Sequence, residues 1–191
     1  SVATDEIECF TETGIRLKSG AQLDADIIIT ATGLNLQVLG GTRMLIDGQP
    51  FDINQRMTYK GVMLQDVPNM AWIFGYTNAP WTLKADIAAR YVCRLINHLQ
   101  ATGMQVVTPR DHQGCAIADM SVMGALESGY VQRANAILPR QGRSLPWRLL
   151  NAYEQDRVML LDEVLEDDNL EFLPRNSESG NKTAGSNSRA A

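Results

Sequence analysis

Apolar and polar positions alternate in short bursts over the first third of this chain and then settle into one long helical period. Residues 7–20 (IECFTETGIRLKSG) read as two short strands, with Thr13-Gly14 at the turn between them and Ser19-Gly20 closing the second. In the first of these, Ile7, Cys9 and Thr11 share one face and Glu8 and Phe10 the other, so neither face is cleanly apolar. The stretch 24–34 (DADIIITATGL) is different. Its continuous β-branched run Ile27-Ile28-Ile29 is the pattern of a strand buried on both faces, as in parallel sheets. The run leads into Ala31-Thr32-Gly33, small residues beside which another backbone or a ligand can approach closely.

Residues 43–53 predict a hairpin around Asp47-Gly48, a type I′ pair. A loop with Tyr59-Lys60-Gly61 follows, and then AWIFGY at 71–76, a second candidate for a buried strand. After Gly75 the chain reads Tyr76-Thr77-Asn78-Ala79-Pro80-Trp81-Thr82 and enters a helix predicted from Leu83 to Ala101. Its apolar positions Leu83, Ile87, Tyr91, Leu95 and Leu99 recur every four residues and Ala88, Val92 and Ile96 widen the stripe, with Thr82 as the expected N-cap and Gly103 just past the end. Residues 104–147 are polar and loop-rich. Helical spacing returns over 147–165, an acidic run from Asp162 to Glu171 follows, and the Ser/Asn/Gly tail from Arg175 reads as disordered.

This pattern makes a demand that the chain does not meet by itself. Ile27–Ile29 and Trp72–Phe74 want strand neighbours, and one long helix cannot cover both faces of even a small parallel sheet. No GxGxxG strand–turn–helix unit is present to begin such a sheet. The reading is an α/β protein of which this is a closing part. The alternative is a small self-contained α+β domain whose strand edges are hidden by residues 104–147.

Composition narrows the function classes. At 191 residues, 45% hydrophobic and 20% charged, the chain is ordinary globular material. A net charge of −5 argues against a nucleic-acid partner or an obligatory membrane surface resting on bulk charge, and no apolar stretch reaches the ~20 residues that span a bilayer. Cys9, Cys93 and Cys115 form no CxxC pair and there is no signal-peptide pattern, which predicts reduced thiols in a soluble cytoplasmic protein. His98 and His112 belong to no nucleophile–base motif and read as surface histidines. Asp24 and Asp26 read as solvent-edge carboxylates, the sequon Asn181-Lys182-Thr183 as uninformative, and no metal site or catalytic constellation is proposed.

Three blocks in order carry a resemblance. TDEIECFTETGIRLKSGAQLDADIIITATGLNLQVLGG resembles the end of the NADPH domain, and its return into the FAD domain, of flavin-dependent monooxygenases of the Baeyer–Villiger and related bacterial kinds. DVPNMAWIFGYTNAPWTLKADIAARYVCRLINHL is similar to that family's closing FAD-domain strand and helix, and YVQRANAILPRQGRSLPWRLLNAYEQDRVML to its C-terminal segment. The string Thr30-Ala31-Thr32-Gly33-Leu34, where the flavin-containing subgroup has Phe-Ala-Thr-Gly-Tyr, favours the Baeyer–Villiger side, or a relative of it, over the amine and sulfide oxygenases, and the subgroup stays open.

The resemblance implies the closing part of a Rossmann-like fold with two dinucleotide-binding domains, incomplete in this chain. It divides the chain into 1–33 (end of the NADP domain and the return), 34–103 (FAD domain), 104–173 (C-terminal segment) and 174–191 (tail). It implies FAD, NADPH, O2 and a small ketone, sulfide or amine, with oxygen captured on the flavin as a 4a-peroxide. The cofactor-facing residues would be Thr32 and Gly33 at the domain crossover and Gly75, Tyr76, Thr77, Asn78 and Thr82 beside the flavin. Trp81 and Trp147 could shape a pocket but read first as packing, and Arg140, Arg143 and Arg148 read first as surface charge opposite the acidic run. The remaining partner would be the rest of the same polypeptide, without which this piece is expected to be inactive; whether Ser1 is a true start stays open. A flavin disulfide-reductase relative and a non-catalytic module binding a protein through the helix are the competing readings.

Overall fold

The computed structural model describes residues 1–112, 114, 120–124 and 126–174; Cys115, the tail from Arg175 and the sequon at 181–183 lie outside them. The chain divides into two compact units, Ser1–Leu34 and the residues from Asn35 onward.

The first unit is an antiparallel meander of β1 (Ile7–Thr11), β2 (Gly14–Leu17) and β3 (Gln22–Asp24), paired in that order. Thr11 pairs with Gly14, so the turn is Glu12-Thr13, one residue earlier than expected. Gly14 is held in the ladder for a steric reason: a Cβ on it would fall 1.9 Å from the Leu23 carbonyl oxygen of β3. Leu17 is the buried side chain of this meander, while Ile7 and Phe10 remain exposed.

The expected strand at Ile27–Ile29 does not form within this chain. No strand includes these residues, and Ile27 and Ile29 are 80% and 86% exposed. A strand buried on both faces needs a hydrogen-bonded neighbour and two covering layers, and the described residues supply Ile27–Ile29 with neither.

In the second unit, β4 (Leu45–Ile46) and β5 (Gln49–Pro50) form the hairpin predicted around Asp47-Gly48, whose φ values of 51° and 78° are those of a type I′ turn. The next segment, read as a loop, is a second hairpin: β6 (Thr58–Tyr59) pairs with β7 (Met63–Leu64) around a turn where Lys60 and Gly61 both have positive φ. This hairpin is buried throughout, which a three-residue turn in polar company did not announce.

Trp72–Phe74 corrects a second expectation. It is not a strand: Ala71 makes a lone bridge to Met63 and Trp72 donates its N–H to the Val62 carbonyl at 2.8 Å, after which pairing stops. Trp72 is buried but Ile73 is half exposed, because no further strand lies beside it among the described residues.

The long helix α1 spans Trp81–Thr102 and ends at Gly103, which adopts the left-handed conformation expected of it (φ 72°, ψ 11°). Its start differs from the expectation. Pro80 precedes the first turn without a side-chain cap, and Thr82 lies inside the helix rather than capping it. Proline disfavours helical backbone at the residue before it, so the helix cannot extend back through Ala79 and opens at Trp81. The buried stripe is Lys84, Ile87, Ala88, Tyr91 and Leu95, so the predicted face holds at Ile87, Ala88, Tyr91 and Leu95 and differs in the first turn, where Lys84 is buried and Leu83 is exposed.

Directly after α1, β8 (Met104–Pro109) pairs antiparallel with the later strand β11 (Leu170–Pro174). Between them, β9 (Met120–Ser121) pairs with β10 (Arg140–Gln141), the short helix α2 (Gly129–Ala134) lies between those two, and α3 (Tyr153–Arg157) widens into a π-type turn over Val158–Asp162. The helical spacing read from 147 is therefore realised only from 153. Asn151, at φ 50°, breaks the backbone before it.

Two apolar clusters hold this unit. In one, Ile87, Tyr91 and Leu95 of α1 pack on Tyr59, Met63, Trp147 and Leu160. In the other, Leu64 and Trp72 meet Val122, Val131 and Leu138. Each fully buried aliphatic or aromatic side chain contributes about 1.5–3 kcal/mol. The architecture is thus a mixture of helix and small antiparallel sheets. Among the described residues no helix is long and apolar enough to cross a membrane.

Candidate functional site

The segment from Gly75 to Thr82 forms one turn that delivers the chain into α1. Gly75 is buried, and a Cβ on it would fall 2.1–2.6 Å from ring atoms of Trp81. The close approach that glycine permits is therefore used by this chain's own indole. Trp81 continues an aromatic row, its ring centroid 5.3 Å from that of Phe74, which is 5.3 Å from Trp72. Tyr76 turns inward. Its hydroxyl is buried without a hydrogen-bond partner, and burial, with the Asp156 carboxylate nearby, pushes its ionisation well above the usual phenol range.

Asn151 grips this turn from the C-terminal segment. Its carbonyl accepts a hydrogen bond from Asn78 Nδ2 at 3.0 Å, and its Oδ1 accepts one from the Thr77 N–H at 3.5 Å. Thr82 is exposed in the first turn of α1. That first turn carries no side-chain cap and no acidic residue, so its N–H groups keep the partial positive charge of a helix N-terminus.

Sequence reasoning missed what lies beneath the turn. Lys84, also in the first turn of α1, is buried, and its Nζ lies 3.2 Å from Asp156 Oδ2; both side chains are nearly inaccessible, at 4% and 3%. Burial depresses the Lys84 ammonium's pKa, and the Asp156 carboxylate opposes that shift. Lys84 Nζ also lies 3.5 Å from the Lys60 carbonyl and 5.7 Å from the Tyr76 ring centroid. A second ion pair joins the buried Lys60 to Asp167 at 3.2 Å, and Asp167 also accepts the Tyr59 hydroxyl. The Tyr59 and Tyr91 phenols, desolvated here, are held neutral well above their ordinary range. One signal for Lys84 was available: it falls on the apolar stripe, three residues before Ile87 and four before Ala88, where a lysine is out of place.

No protein-family model matches the chain. Similarity to individual proteins is extensive. The chain is 54% identical over 172 residues to the protein of Mycobacterium tuberculosis named FAD-containing monooxygenase MymA, covering 90% of this chain and 34% of that protein. It is 52% identical over 172 residues to the Acinetobacter baylyi protein named FAD-binding monooxygenase AlmA, covering 90% and 34% respectively. It is 48% identical over 174 residues to the FAD-containing monooxygenase EthA of M. tuberculosis, covering 91% and 35%. The chain is homologous to FAD-containing monooxygenases. It spans about a third of the length of these curated relatives.

For a flavin monooxygenase homologue, the test is whether the residues present suit a flavin. Of the seven residues expected to face cofactor, Gly75, Tyr76, Thr77, Asn78 and Thr82 lie together in the turn and first helical turn of the second unit. Thr32 and Gly33 lie in the first unit and are exposed. Gly33 has φ 95° with nothing within 4 Å of a Cβ position, so glycine is required there by backbone conformation and the space beside it is open. An uncapped helix N-terminus without carboxylates, flanked by exposed Ile73 and Trp81, suits a flat ring bearing electron-rich acceptors. Tyr76 suits it less directly, since its hydroxyl points into the Lys84–Asp156 interior. His98 is not a bare surface histidine: its Nε2 lies 3.1 Å from Glu166 and its ring stacks edge-on with Phe172. Among the described residues no cluster of His, Cys, Asp or Glu could hold a metal ion.

Proposed function

We propose that this chain is the C-terminal part of an FAD- and NADPH-dependent monooxygenase of the Baeyer–Villiger and flavin-containing monooxygenase superfamily, inserting one atom of O2 into a small organic substrate such as a ketone, sulfide or amine. In this reading residues 1–33 end the NADP domain and lead back into the FAD domain, residues 34–103 complete the FAD domain, and 104–173 form a C-terminal segment, all within a two-dinucleotide-domain, Rossmann-like fold. The enzyme works in the cytoplasm. The observation that supports the reading most is identity near 50% over nine-tenths of the chain to proteins named FAD-containing or FAD-binding monooxygenases.

The flavin, when bound, supplies electron transfer from NADPH and oxygen activation. The chain's own residues bind, orient and shield it. The N–H groups opening α1 and the side chain of Thr82 would donate hydrogen bonds to ring acceptors, favouring negative charge there. Gly75, Tyr76, Thr77 and Asn78 would set the backbone against the ring, and the half-exposed Trp81 would exclude water from its edge. Thr32 and Gly33 would lie along the crossover between the nucleotide domains.

The deciding experiment is to isolate the native protein from its source and measure bound FAD, NADPH oxidation and oxygen uptake across a panel of ketones, sulfides and amines. Bound FAD and oxygenated product carrying label from 18O2 are expected. A native product that contains no flavin and consumes no NADPH would overturn the reading and favour a binding module.

A further inference from the structure

Lys84 stands where physics disfavours it twice. It is buried, and it lies at the positive end of a 22-residue helix. Its ammonium is threaded past Gly61, where a Cβ would come within 3.4 Å of Nζ and 2.8 Å of Leu149 Cδ2. The counter-charge is Asp156, and Asp156 comes from the same short segment as Asn151, whose carbonyl and side chain hold Asn78 and Thr77. Residues 151–156 thus take hold of the turn at three points: before the helix at Thr77 and Asn78, and inside its first turn at Lys84.

We propose that Asp156 and Asn151 are positioning residues that fix the 75–82 turn, acting through Lys84 and through Thr77 and Asn78; the flavin-facing part of this inference rests on the monooxygenase reading. An ion pair serving only general stability could be replaced by well-packed apolar side chains of similar volume. One that sets the heading of the turn could not, because methionine and leucine carry no directional contact to hold Lys84's end of α1 against residue 156.

The test is carried out on the native-length protein with the paired variant Lys84→Met/Asp156→Leu, and separately with Asn151→Gly, which removes the Oδ1 acceptor of the Thr77 N–H, keeps the carbonyl that accepts from Asn78 and adopts the φ of 50° without strain. Amide hydrogen exchange of residues 75–83 is followed without flavin, and the absorption band and reduction potential of the flavin are followed after loading with FAD. For each variant, exchange at 75–83 about tenfold faster is expected, with the rest of α1 unchanged, together with a displaced flavin band and potential. Unchanged exchange at 75–83 in both variants would overturn the proposal, as would uniform loosening of all of α1, the mark of plain stabilisation. Faster exchange at 75–83 in a protein that takes up no FAD would uphold the positioning role while removing the monooxygenase reading on which its flavin side depends.

Discussion

The Trp81 indole occupies the space that a side chain at position 75 would need, its Cγ 2.1 Å from the Cβ that Gly75 lacks. Gly75→Ala should therefore act by steric displacement, and at least one of the two groups must move. The expected loss is about 1–3 kcal/mol in urea unfolding, with altered tryptophan fluorescence. Trp81→Ala should remove most of the penalty in the double variant, giving a coupling of about 0.5–3 kcal/mol. Additive effects would mean that the two residues do not meet in solution.

Tyr76 carries a buried hydroxyl that donates to nothing. Leaving a buried polar group unpartnered costs about 1–3 kcal/mol, so Tyr76→Phe should leave stability unchanged or raise it by about 1 kcal/mol. A marked loss on this substitution would reveal a hydrogen bond to Asp156.

The buried phenols also fix the sign of the alkaline response. Tyr59, Tyr76 and Tyr91 are held neutral above their ordinary pKa of 10.0, so their contribution is complete below pH 10 and is lost as pH rises past it, where only the unfolded chain ionises. Lys84 runs the other way. Its folded pKa lies below 10.5, so its penalty is largest at neutral pH and fades as pH climbs toward that value. Unfolding free energy should fall above pH 10 by about 1.4 kcal/mol per pH unit for each such tyrosine, less steeply in Tyr91→Phe and more steeply, just below that range, in Lys84→Met/Asp156→Leu. Thermal denaturation between pH 7 and pH 11 reads both.

Asn78 and Thr82 were grouped by resemblance, but they should separate by measurement. Asn78 donates to the Asn151 carbonyl, so Asn78→Ala should cost about 0.5–1.5 kcal/mol of stability as well as slowing flavin reduction. Thr82 is exposed and caps nothing, so Thr82→Val should leave stability within about 0.5 kcal/mol while slowing flavin reduction. Stopped-flow reduction by NADPH together with unfolding curves checks both, and unchanged reduction rates would remove these residues from the cofactor site.

What was legible in the sequence was whatever depends on neighbours in the chain. The Asp47-Gly48 hairpin and the Gly103 stop of α1 are local backbone chemistry, and both stand as read. The stripe on α1 is legible at Ile87, Tyr91 and Leu95 but not in its first turn, where the buried residue is a lysine; only the distant Asp156 makes Lys84 a core residue. The hairpin at 58–64 hid behind Lys60-Gly61, whose burial depends on Tyr91, Trp147 and Asp167 far along the chain. Ile27–Ile29 and Trp72–Phe74 are apolar runs that form no strand among the described residues, since a strand is a relation between segments and a run belongs to one. Of the candidate site, the turn was recognised by resemblance. Its supports at Asn151 and Asp156 carry no local pattern.

The exposed run at Ile27–Ile29 also has a practical meaning for anyone handling the chain. No backbone hydrogen bond among the described residues involves these three isoleucines. An unpaired β-branched segment without charge or proline is a template for edge-to-edge association. Concentrated preparations of the 191-residue chain should therefore cloud with time, and a lysine at position 28 should clear them.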